Sequence, residues 1–528
     1  MAERGELLDV ELGLRGHAIG SRTIPSVAQA IFDDAKTCCV HSASRASSSA
    51  DATDVAEEDA MNSMTHENLP TVVIGAGPVG LAAAAHLLSR GMVPLVLEAG
   101  DDVAANVRDW GHVRLFSPWR YDVDKVAAKL LEAEGWHAPP PDELPTGGDL
   151  VARYLRPLAK VFTARGQLRF GQRVLAVTRL GTDKVRTKDR VRSPFVIRVR
   201  DGQGAESEIL ARAVIDASGT WATPNPVGAA GLPAIGETEL ADRIRYGIPD
   251  VTGSERARYE GKTTLVVGAG HSAANAILSL VELAEESRAT RVVWSTRGQD
   301  LKRVFGGGDA DGLPARGALG ARLRELVASG RLELVTGFSI LAITRSSHGG
   351  TLEVSGLRDG APHRMGNIDT VVAATGQRPD LSTTRELRLE LDPWLESAKQ
   401  IGPLIDPNEH SCGTVRPHGA IELAHPEPNF YVIGSKSYGR APTFLLATGY
   451  EQARSVVAML AGDREAATRV ELDLPETGVC SINREDSGES CCAVPAADTK
   501  AKRAADAPTG ASCCGPVPAA RPAASCCG

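Results

Sequence analysis

Cysteine is nearly absent from the middle of the 528-residue chain, where Cys412 stands alone between residues 70 and 460. A thiol pair spaced CxxC or CxxxxC is therefore excluded from this part. The chain also lacks an apolar run long enough to cross a membrane. Its net charge of −8 leaves no basic surplus for nucleic acid or an anionic membrane. Because Glu3 and Arg4 stand where a signal peptide would need apolar residues, we expect a cytoplasmic protein with neither of these partners.

A glycine pattern occurs twice in this chain. Each copy follows a short β-branched run and precedes a helical pattern, which is the context of a dinucleotide-binding fingerprint. The first glycine permits a tight turn, the second lets a pyrophosphate approach the backbone, and the third small residue lets helix and strand pack closely. The residues are Gly75, Gly77 and Gly80 in the first cradle and Gly268, Gly270 and Ala273 in the second cradle. Two nucleotide cofactors are therefore expected.

The sequence that follows each cradle is also repeated. Val174-Leu-Ala-Val-Thr-Arg179 corresponds to Ile340-Leu-Ala-Ile-Thr-Arg345, and strands with period-two alternation follow both. Each half then ends in three residues of the same kind, which are Ala-Ser-Gly at 217–219 and Ala-Thr-Gly at 374–376. The repeat predicts an α/β fold of two Rossmann-like, three-layer ββα domains. Disordered termini are expected from composition, because residues 43–60 are rich in Ala, Ser and Asp and the chain from Asp463 has almost no large apolar residue.

The residue after the next predicted strand distinguishes the two cradles. Glu98 follows Gly75 at about the spacing of 20 residues at which a carboxylate accepts hydrogen bonds from the ribose hydroxyls. In the second half, the corresponding strand ends in Ser295-Thr-Arg297 without a carboxylate. A carboxylate would repel a 2′-phosphate, whereas Arg297 can bind one as a fork. The second cradle is therefore expected to prefer NADPH over NADH. The alternative for Arg297 is an exposed loop cation.

These motifs resemble those of flavoproteins with two dinucleotide-binding domains, namely thioredoxin and glutathione reductases and flavin-containing monooxygenases. Pro78 and the sequence around Glu98 are similar to the FAD-binding half, and residues 217–224 and 374–380 are similar to the two linkers. The resemblance covers residues 70 to 460 and implies FAD at the first cradle, with the nicotinamide domain inserted into the FAD domain. The implied segments are a disordered extension at 1–68, the FAD domain at 69–255 and 365–462, the NADPH domain at 256–364, and a disordered tail at 463–528.

Further FAD contacts are implied by the same resemblance. Similar proteins cover the flavin edge with a segment that corresponds to residues 113–120, where Trp119 would line the pocket or, alternatively, pack in the core. Gly434 and Thr443 correspond to the last FAD-binding element. Ser435 stands where the disulfide reductases place Asp, which favours the monooxygenase branch. The region 234–240, however, lacks the Phe and His of that branch's FxGxxxH signature.

Two other segments are candidates for chemistry. Residues 305–320 contain six glycines and predict an irregular loop, either a lid over the cofactor or an ordinary surface loop. Cys412 is preceded by His410 and followed by His418. A cysteine flanked by histidines can be held as thiolate, so Cys412 is a candidate catalytic residue, although a lone buried cysteine is more often inert.

Eight of the ten cysteines form adjacent pairs, and three of the pairs lie in the tail. Adjacent Cα atoms are about 3.8 Å apart, closer than the roughly 4.4 Å that a disulfide needs, so open thiols are expected. Open thiolates bind soft ions, and the pairs resemble those of arsenic and antimony metallochaperones and of mercuric reductases. The predicted metal ligands are Cys491, Cys492, Cys513, Cys514, Cys526 and Cys527. A redox shuttle to the flavin and low-complexity drift are the alternatives.

Together these features predict an FAD-dependent, NADPH-oxidising oxidoreductase that resembles flavin-containing monooxygenases. Its substrate would be a small molecule or a metalloid, with a link to arsenic resistance through the tail, and a homodimer is a candidate assembly. One alternative is a reductase that passes electrons through the tail thiols to a disulfide or metal ion. Another is a thiophilic-ion binding or delivery protein whose flavin domains are not catalytic.

Overall fold

A computed structural model gives the fold and describes residues 68–306, 313–347, 349–409, 415, 417–442 and 445–472. Strands within these residues form two five-stranded and two three-stranded sheets. Their bounds are β1 Thr71–Ile74, β2 Pro94–Leu97, β3 Leu168–Arg169, β4 Arg173–Arg179, β5 Phe195–Arg200, β6 Glu206–Ala211, β7 Ala213–Asp216, β8 Ile244–Tyr246, β9 Thr263–Val267, β10 Arg291–Ser295, β11 Glu333–Val335, β12 Phe338–Arg345, β13 Leu352–Arg358, β14 Ala361–Ile368, β15 Thr370–Ala373 and β16 Phe430–Val432.

Helices connect these strands and cover one face of each large sheet. Their bounds are α1 Pro78–Ser89, α2 Ala105–Asp109, α3 Trp119–Asp122, α4 Lys125–Glu132, α5 Gly147–Leu150, α6 Arg156–Ala164, α7 Arg256–Tyr259, α8 His271–Glu286, α9 Lys302–Phe305, α10 Pro314–Ala328, α11 Gly402–Ile405, α12 Leu446–Leu460 and α13 Arg464–Thr468. A π-helical turn, Val151–Leu155, joins α5 to α6, and a 3₁₀ turn, Gly434–Tyr438, follows β16. Further 3₁₀ turns are Arg190–Arg192, Ala241–Arg243 and Ser382–Thr384.

The first large sheet is parallel and has the strand order β16-β7-β1-β2-β3. Its central strands are buried along their whole length, as expected for a parallel sheet covered on both faces. The helices α1 and α12 share the core on one face. The antiparallel sheet β4-β5-β6 packs on the other. These three layers are the ββα arrangement that the sequence predicts.

The second large sheet repeats this arrangement with the order β11-β10-β9-β15-β8. The helices α8 and α10 pack on one face, where Ile277, Leu280 and Leu323 are fully buried. The antiparallel sheet β12-β13-β14 packs on the other face through Phe338 and Ile343. The predicted fold class, two Rossmann-like α/β units, is therefore confirmed.

The two antiparallel sheets share an irregularity that corresponds to the sequence repeat. The register of β4 against β5 shifts between Val174 and Ala176, and that of β12 against β13 shifts between Ile340 and Ala342. Each bulge therefore lies at the Leu-Ala of the repeated segment. Because bulges bend a strand and increase its twist, the repeated sequence gives both sheets the same bend at the same place.

Two strands of the second sheet lie outside the range 256–364 that was expected for the nicotinamide domain. The strand β8 precedes it and β15 follows it, and the two pair with each other. The two predicted linkers also meet, since Arg378 N donates to Thr223 O at 3.0 Å. We place the domain boundaries, as a proposal, near residues 224 and 377, where the chain crosses between the sheets.

The glycine-rich segment 305–320 differs from its prediction, because α10 begins at Pro314 within it. Pro314 occupies the first turn of the helix, where a missing N–H costs nothing. Gly320 lets the helix approach α9, because a Cβ at Gly320 would lie 2.2 Å from Phe305 O. The expectation of an irregular loop was therefore wrong for 314–320. Among the described residues, no helix combines the length and apolar character that a membrane span requires.

Candidate functional site

The first cradle is a tight turn between β1 and α1. Gly75 has φ of +98°, a conformation that favours glycine, and its N–H donates to Leu97 O at 2.8 Å. A Cβ on Gly75 would lie 2.9 Å from Ala217 O, and a Cβ on Gly80 would lie 2.0 Å from Gly75 O. Both positions therefore require glycine for packing of the turn against the end of β7.

The middle glycine of the first cradle faces open space. A Cβ built on Gly77 would meet nothing within 4 Å, although Gly77 is the N-cap of the 12-residue helix α1. No side chain caps this helix end, and Pro78 occupies its first turn. A helix N-terminus without a side-chain cap, which is the positive end of the helix dipole, therefore borders an open space, and this fits the pyrophosphate of a dinucleotide.

Glu98 follows β2 directly and is held against the first cradle. It is 8% exposed. Its Oε2 accepts a hydrogen bond from Ala76 N at 2.7 Å, and its Oε1 accepts one from Gly100 N at 2.8 Å. A carboxylate oxygen accepts more than one hydrogen bond, so both oxygens retain capacity for a ribose hydroxyl. The structure therefore places the carboxylate that the sequence singled out against the turn of the first cradle, and its role as a ribose ligand stays a prediction.

The second cradle has the same design between β9 and α8. Gly268 has φ of +137°, and a Cβ there would lie 2.2 Å from Ala374 O. Gly270 is the N-cap of the 16-residue α8, which has no side-chain cap, and a Cβ on it would meet nothing within 4 Å. The third position is Ala273, whose side chain is fully buried. The residues present therefore fit a second pyrophosphate.

Arg297 lies two residues beyond β10 and is exposed. One of its guanidinium nitrogens, Nη1, donates to Ala229 O at 2.8 Å. Because a guanidinium has five N–H donors, this contact fixes its direction while leaving donors for a phosphate. The second cradle thus has a guanidinium after its second strand, where the first cradle has the buried carboxylate of Glu98.

Both cradles occupy the carboxyl edge of a sheet at a point where the strand order changes direction. The strand β1 lies between β7 and β2, and β9 lies between β15 and β10. Ligands of doubly wound sheets bind at such switch points. A cavity of about 250 Å³ lies beside the second cradle, lined by Ser272, Trp221 and Gln377 among others. A larger cavity of about 970 Å³ lies at the opposite end of the second sheet and is remote from this cradle.

Residues 113–122, here called the edge segment, lie between the two cradles. The ring of Phe116 is 5.5 Å from that of His271, the first residue of α8. Trp119 is only 2% exposed and belongs to the same core as Val79 of the first cradle. The structure therefore places Trp119 within the core, the alternative given above, and its assignment to the flavin pocket stays a prediction.

Gly434 begins the 3₁₀ turn after β16 and has φ of +74°. Its N–H donates to Gln452 Oε1 at 2.8 Å. A Cβ on Gly434 would lie 3.5 Å from Val79, so this turn packs directly on the first cradle. Gln452 also contacts His418 and Ser437, which makes a buried polar network behind the turn.

A buried ion pair beside the first cradle was not anticipated. The Lys436 Nζ donates to Asp216 Oδ2 at 2.7 Å and to Ser218 Oγ at 3.1 Å, and both charged side chains are almost fully buried. The pair joins the end of β7 to the turn at Gly434. The signal in the sequence was an Asp that ends an otherwise apolar strand.

Several predicted site residues lie outside the described residues. They are Thr443, Cys412 and the tail cysteines Cys491, Cys492, Cys513, Cys514, Cys526 and Cys527. Within the described part of the chain, no group of three or more His, Cys, Asp or Glu side chains could hold a metal ion.

The chain matches the family described as pyridine nucleotide-disulphide oxidoreductase over residues 72–411, which is more than half of its length. It belongs to this family. Membership makes it an oxidoreductase that uses FAD and a nicotinamide dinucleotide, as the doubled fingerprint predicts. Among proteins of curated function, none matches the chain in sequence.

Two solved structures share this fold. Bacillithiol disulfide reductase Bdr (YpdA) from Bacillus cereus is 18% identical, with a TM-score of 0.54 over 75% of this chain and 99% of that one. The cadaverine monooxygenase DfoA of desferrioxamine biosynthesis from Erwinia amylovora, solved with FAD, is 15% identical, with a TM-score of 0.54 over 79% and 99%. Because one is a reductase and the other a monooxygenase, the shared fold does not choose between these reactions.

Proposed function

We propose that this chain is a monooxygenase-like enzyme that binds FAD at the first cradle and NADPH at the second, and oxygenates a soft, thiophilic substrate. The assignment of FAD is supported by Glu98, whose Oε2 is held by the N–H of Ala76 in the first cradle and which would accept hydrogen bonds from a ribose. Gly75, Gly77 and Gly80 supply the turn and the open helix end for the pyrophosphate. The neighbouring turn at Gly434 would complete the pocket, with Thr443 as a further proposed contact.

The assignment of NADPH is supported by charge. Gly268, Gly270 and Ala273 provide the second turn, and α8 provides a helix N-terminus without a side-chain cap for the pyrophosphate. Arg297 supplies a guanidinium where a 2′-phosphate would lie, and Ala229 O keeps it in place. A guanidinium pairs with a phosphate through two parallel hydrogen bonds. NADPH would therefore be preferred over NADH.

The single observation that carries the choice of reaction is the cysteine count. Between residues 70 and 460 there is only Cys412, so no dithiol is available in the body to accept electrons from a flavin. The cofactor, when bound, would supply hydride transfer and oxygen chemistry, and the residues of the two cradles would contribute binding, orientation and exclusion of water. The lone Cys412 remains a candidate catalytic residue of this enzyme.

The proposed substrate class follows from the tail. Its three adjacent cysteine pairs supply thiolates, which bind soft metals and metalloids. Trivalent arsenic held by these thiols is the proposed substrate, which would connect the enzyme to arsenic resistance. The thiols would act as metal ligands and deliver the metalloid to the flavin site.

The second candidate is an NADPH-dependent reductase. The same tail pairs favour it, because they could carry electrons from the flavin to a disulfide or a metal ion in place of the missing core dithiol. The two candidates differ in their need for oxygen and in their use of the tail. They can therefore be separated with one protein preparation.

The experiment measures NADPH and oxygen consumption by the purified FAD-loaded protein with arsenite, in air and without oxygen. We expect NADPH and oxygen to be consumed in equal amounts in air. Adding arsenite should raise the rate of NADPH consumption by at least about tenfold, and no NADPH should be consumed without oxygen. A variant with the six paired tail cysteines changed to Ser should lose the arsenite response. Cys480→Ser is the matched control, because Cys480 lies in the same tail outside the pairs.

The outcomes separate the candidates. Turnover that persists without oxygen and disappears in the six-cysteine variant would establish the reductase instead. Turnover in air that is indifferent to arsenite and to the tail would remove the arsenic link while leaving the monooxygenase assignment in place. Tight arsenite binding without arsenite-dependent NADPH oxidation would favour a thiophilic-ion binding or delivery protein.

A further inference from the structure

The edge segment contains two buried polar atoms that have no hydrogen-bond partner. They are Trp119 Nε1 and Asp122 Oδ2, the first on the opening residue of α3 and the second on its last. The Asp122 side chain is fully buried. Burying an ionised carboxylate without a compensating partner is costly, so Asp122 requires an explanation.

The partner of Asp122 is a hydroxyl of the same segment. Ser117 Oγ lies 2.7 Å from Asp122 Oδ1, at a normal hydrogen-bond distance for two oxygens. Ser117 is only half-buried, whereas Asp122 is inaccessible. Ser117 therefore connects the inaccessible carboxyl group to the more accessible side of the segment.

Charged groups on the neighbouring elements do not compensate Asp122. Among the described residues, no Lys, Arg or His side chain forms an ion pair with Asp122. The histidine of the neighbouring helix α1, His86, pairs instead with Asp124 at 3.1 Å. Tyr450 of α12 donates its hydroxyl to the Asp122 carbonyl oxygen. Burial raises the pKa values of Tyr450 and Tyr154 well above 10, so both stay neutral. The guanidinium of Arg153 lies over the Trp119 ring.

Two arrangements of the proton are possible, and they present different groups to the outside. An ionised carboxylate only accepts, so Ser117 must point its hydrogen at Asp122 and can offer only lone pairs elsewhere. When Asp122 is protonated, a proton on Oδ2 would be a buried donor without an acceptor. A proton on Oδ1 can instead be donated to Ser117 Oγ, which frees the Ser117 hydrogen.

We infer that Asp122 is a positioning residue whose proton determines whether Ser117 presents a hydrogen-bond donor or an acceptor to the flavin site. The inference rests on the proposed FAD site, because it requires the edge segment to border the flavin. Two contacts support this location: Phe116 lies against His271 of the second cradle, and Trp119 belongs to the core that contains Val79 of the first cradle.

The change falls in the neutral range. Burial raises the pKa of Asp122 to about 7, and the Ser117 hydrogen bond opposes this only in part. Below pH 7, Asp122 is mostly protonated and Ser117 is free to donate. Above pH 7, Asp122 is ionised and Ser117 is held as its donor.

The test records the visible absorption spectrum of the full-length, FAD-loaded protein from pH 5.5 to 8.5. The wild type should show a spectral transition with a midpoint near pH 7. Asp122→Asn should abolish it and keep the low-pH spectrum throughout, because an amide N–H donates to Ser117 as the protonated acid does. Ser117→Ala should also abolish it, whereas Ser117→Thr, which keeps the hydroxyl, should retain it.

Asp392→Asn is the matched control. Asp392 is also a buried carboxylate, but it lies outside the edge segment and accepts two backbone N–H groups through one oxygen. This variant should keep the transition. A transition that persists in Asp122→Asn, or its absence from the wild type, would overturn the inference. If Asp122→Asn retains no FAD, the contrast between Ser117→Ala and Ser117→Thr decides the matter.

The same preparation distinguishes failure of the inference from failure of the proposed function. A purified chain that neither carries FAD nor binds it when FAD is added contradicts the proposed function, and the inference fails with it. A chain that binds FAD without a pH-dependent spectrum contradicts only the role of Asp122.

Discussion

The two cradles share a backbone design and differ in the residues that surround it. In both, the first glycine has a positive φ and packs against the carbonyl of an alanine, Ala217 in one and Ala374 in the other. In both, the helix end beyond the middle glycine is open. The close approach of a neighbouring strand therefore determines the turn, whereas the residue after the next strand, Glu98 in one and Arg297 in the other, carries the proposed distinction between FAD and NADPH.

The third small residue of the glycine pattern, Gly80 in the first cradle and Ala273 in the second, shows that the two cradles are not interchangeable. A Cβ on Gly80 would lie 2.0 Å from Gly75 O, whereas Ala273 has a Cβ and is fully buried. The first turn is thus tighter than the second. Alanine at the third position, which the second cradle already contains as Ala273, should therefore destabilise the first cradle.

The largest effect is expected for Gly80→Ala. The added methyl collides with backbone, which cannot rotate away as a side chain can, so the turn must open. We expect a loss of about 3 kcal/mol in the free energy of unfolding, near the upper end of overpacking costs. Thermal and denaturant unfolding of the protein stripped of FAD measures this, because the effect does not depend on the cofactor.

Gly77→Ala is the matched control for that variant. It adds the same methyl group three residues earlier in the chain, where nothing lies within 4 Å. Unfolding of the stripped Gly77→Ala protein should match the wild type within about 0.5 kcal/mol. If both substitutions destabilised the protein equally, the contact of the Gly80→Ala methyl group with Gly75 O would not be the cause of the destabilisation.

The second prediction concerns FAD affinity in the same Gly77→Ala variant. The open space at Gly77 is where the proposed pyrophosphate approaches the backbone, so a methyl there should displace it. We expect the FAD dissociation constant to rise by about 10- to 100-fold, or about 1.4 to 2.8 kcal/mol. Titration of the stripped protein with FAD measures it. Unchanged affinity would place the pyrophosphate elsewhere.

Much of this comparison could be predicted from the sequence, because it depends on local rules. Glycines at fixed spacing after a β-branched strand specify the turn, and Glu98 is identified by its distance from Gly75 along the chain. The repeat of Leu-Ala in β4 and β12 likewise indicated corresponding strands. It could not show that both contain a bulge at that point, since a bulge is defined by the partner strand.

The parts that could not be predicted depend on contacts between distant segments. The pair Lys436 and Asp216 is separated by 220 positions, and only the pairing of β16 with β7 brings it together. The helix α10 forms despite its glycines because α9 packs against Gly320. Trp119 has the same sequence pattern whether it lines a pocket or packs in the core, so its burial could not be predicted from the sequence.

The smallest effect is expected for Arg297→Ser, which removes the guanidinium that marks the second cradle. Because Arg297 is exposed, its contact with a 2′-phosphate should contribute about 1 kcal/mol, so the KM for NADPH should rise by roughly fivefold. The KM for NADH should not change, since NADH lacks that phosphate. Arg291→Ser is the matched control, because Arg291 is an exposed arginine at the opposite end of the same strand, β10. Steady-state kinetics with both nucleotides measures these values. An equal rise for NADPH and NADH would mean that Arg297 supports the fold of the cradle through Ala229 and does not read the phosphate, which would remove the main difference in charge between the two cradles.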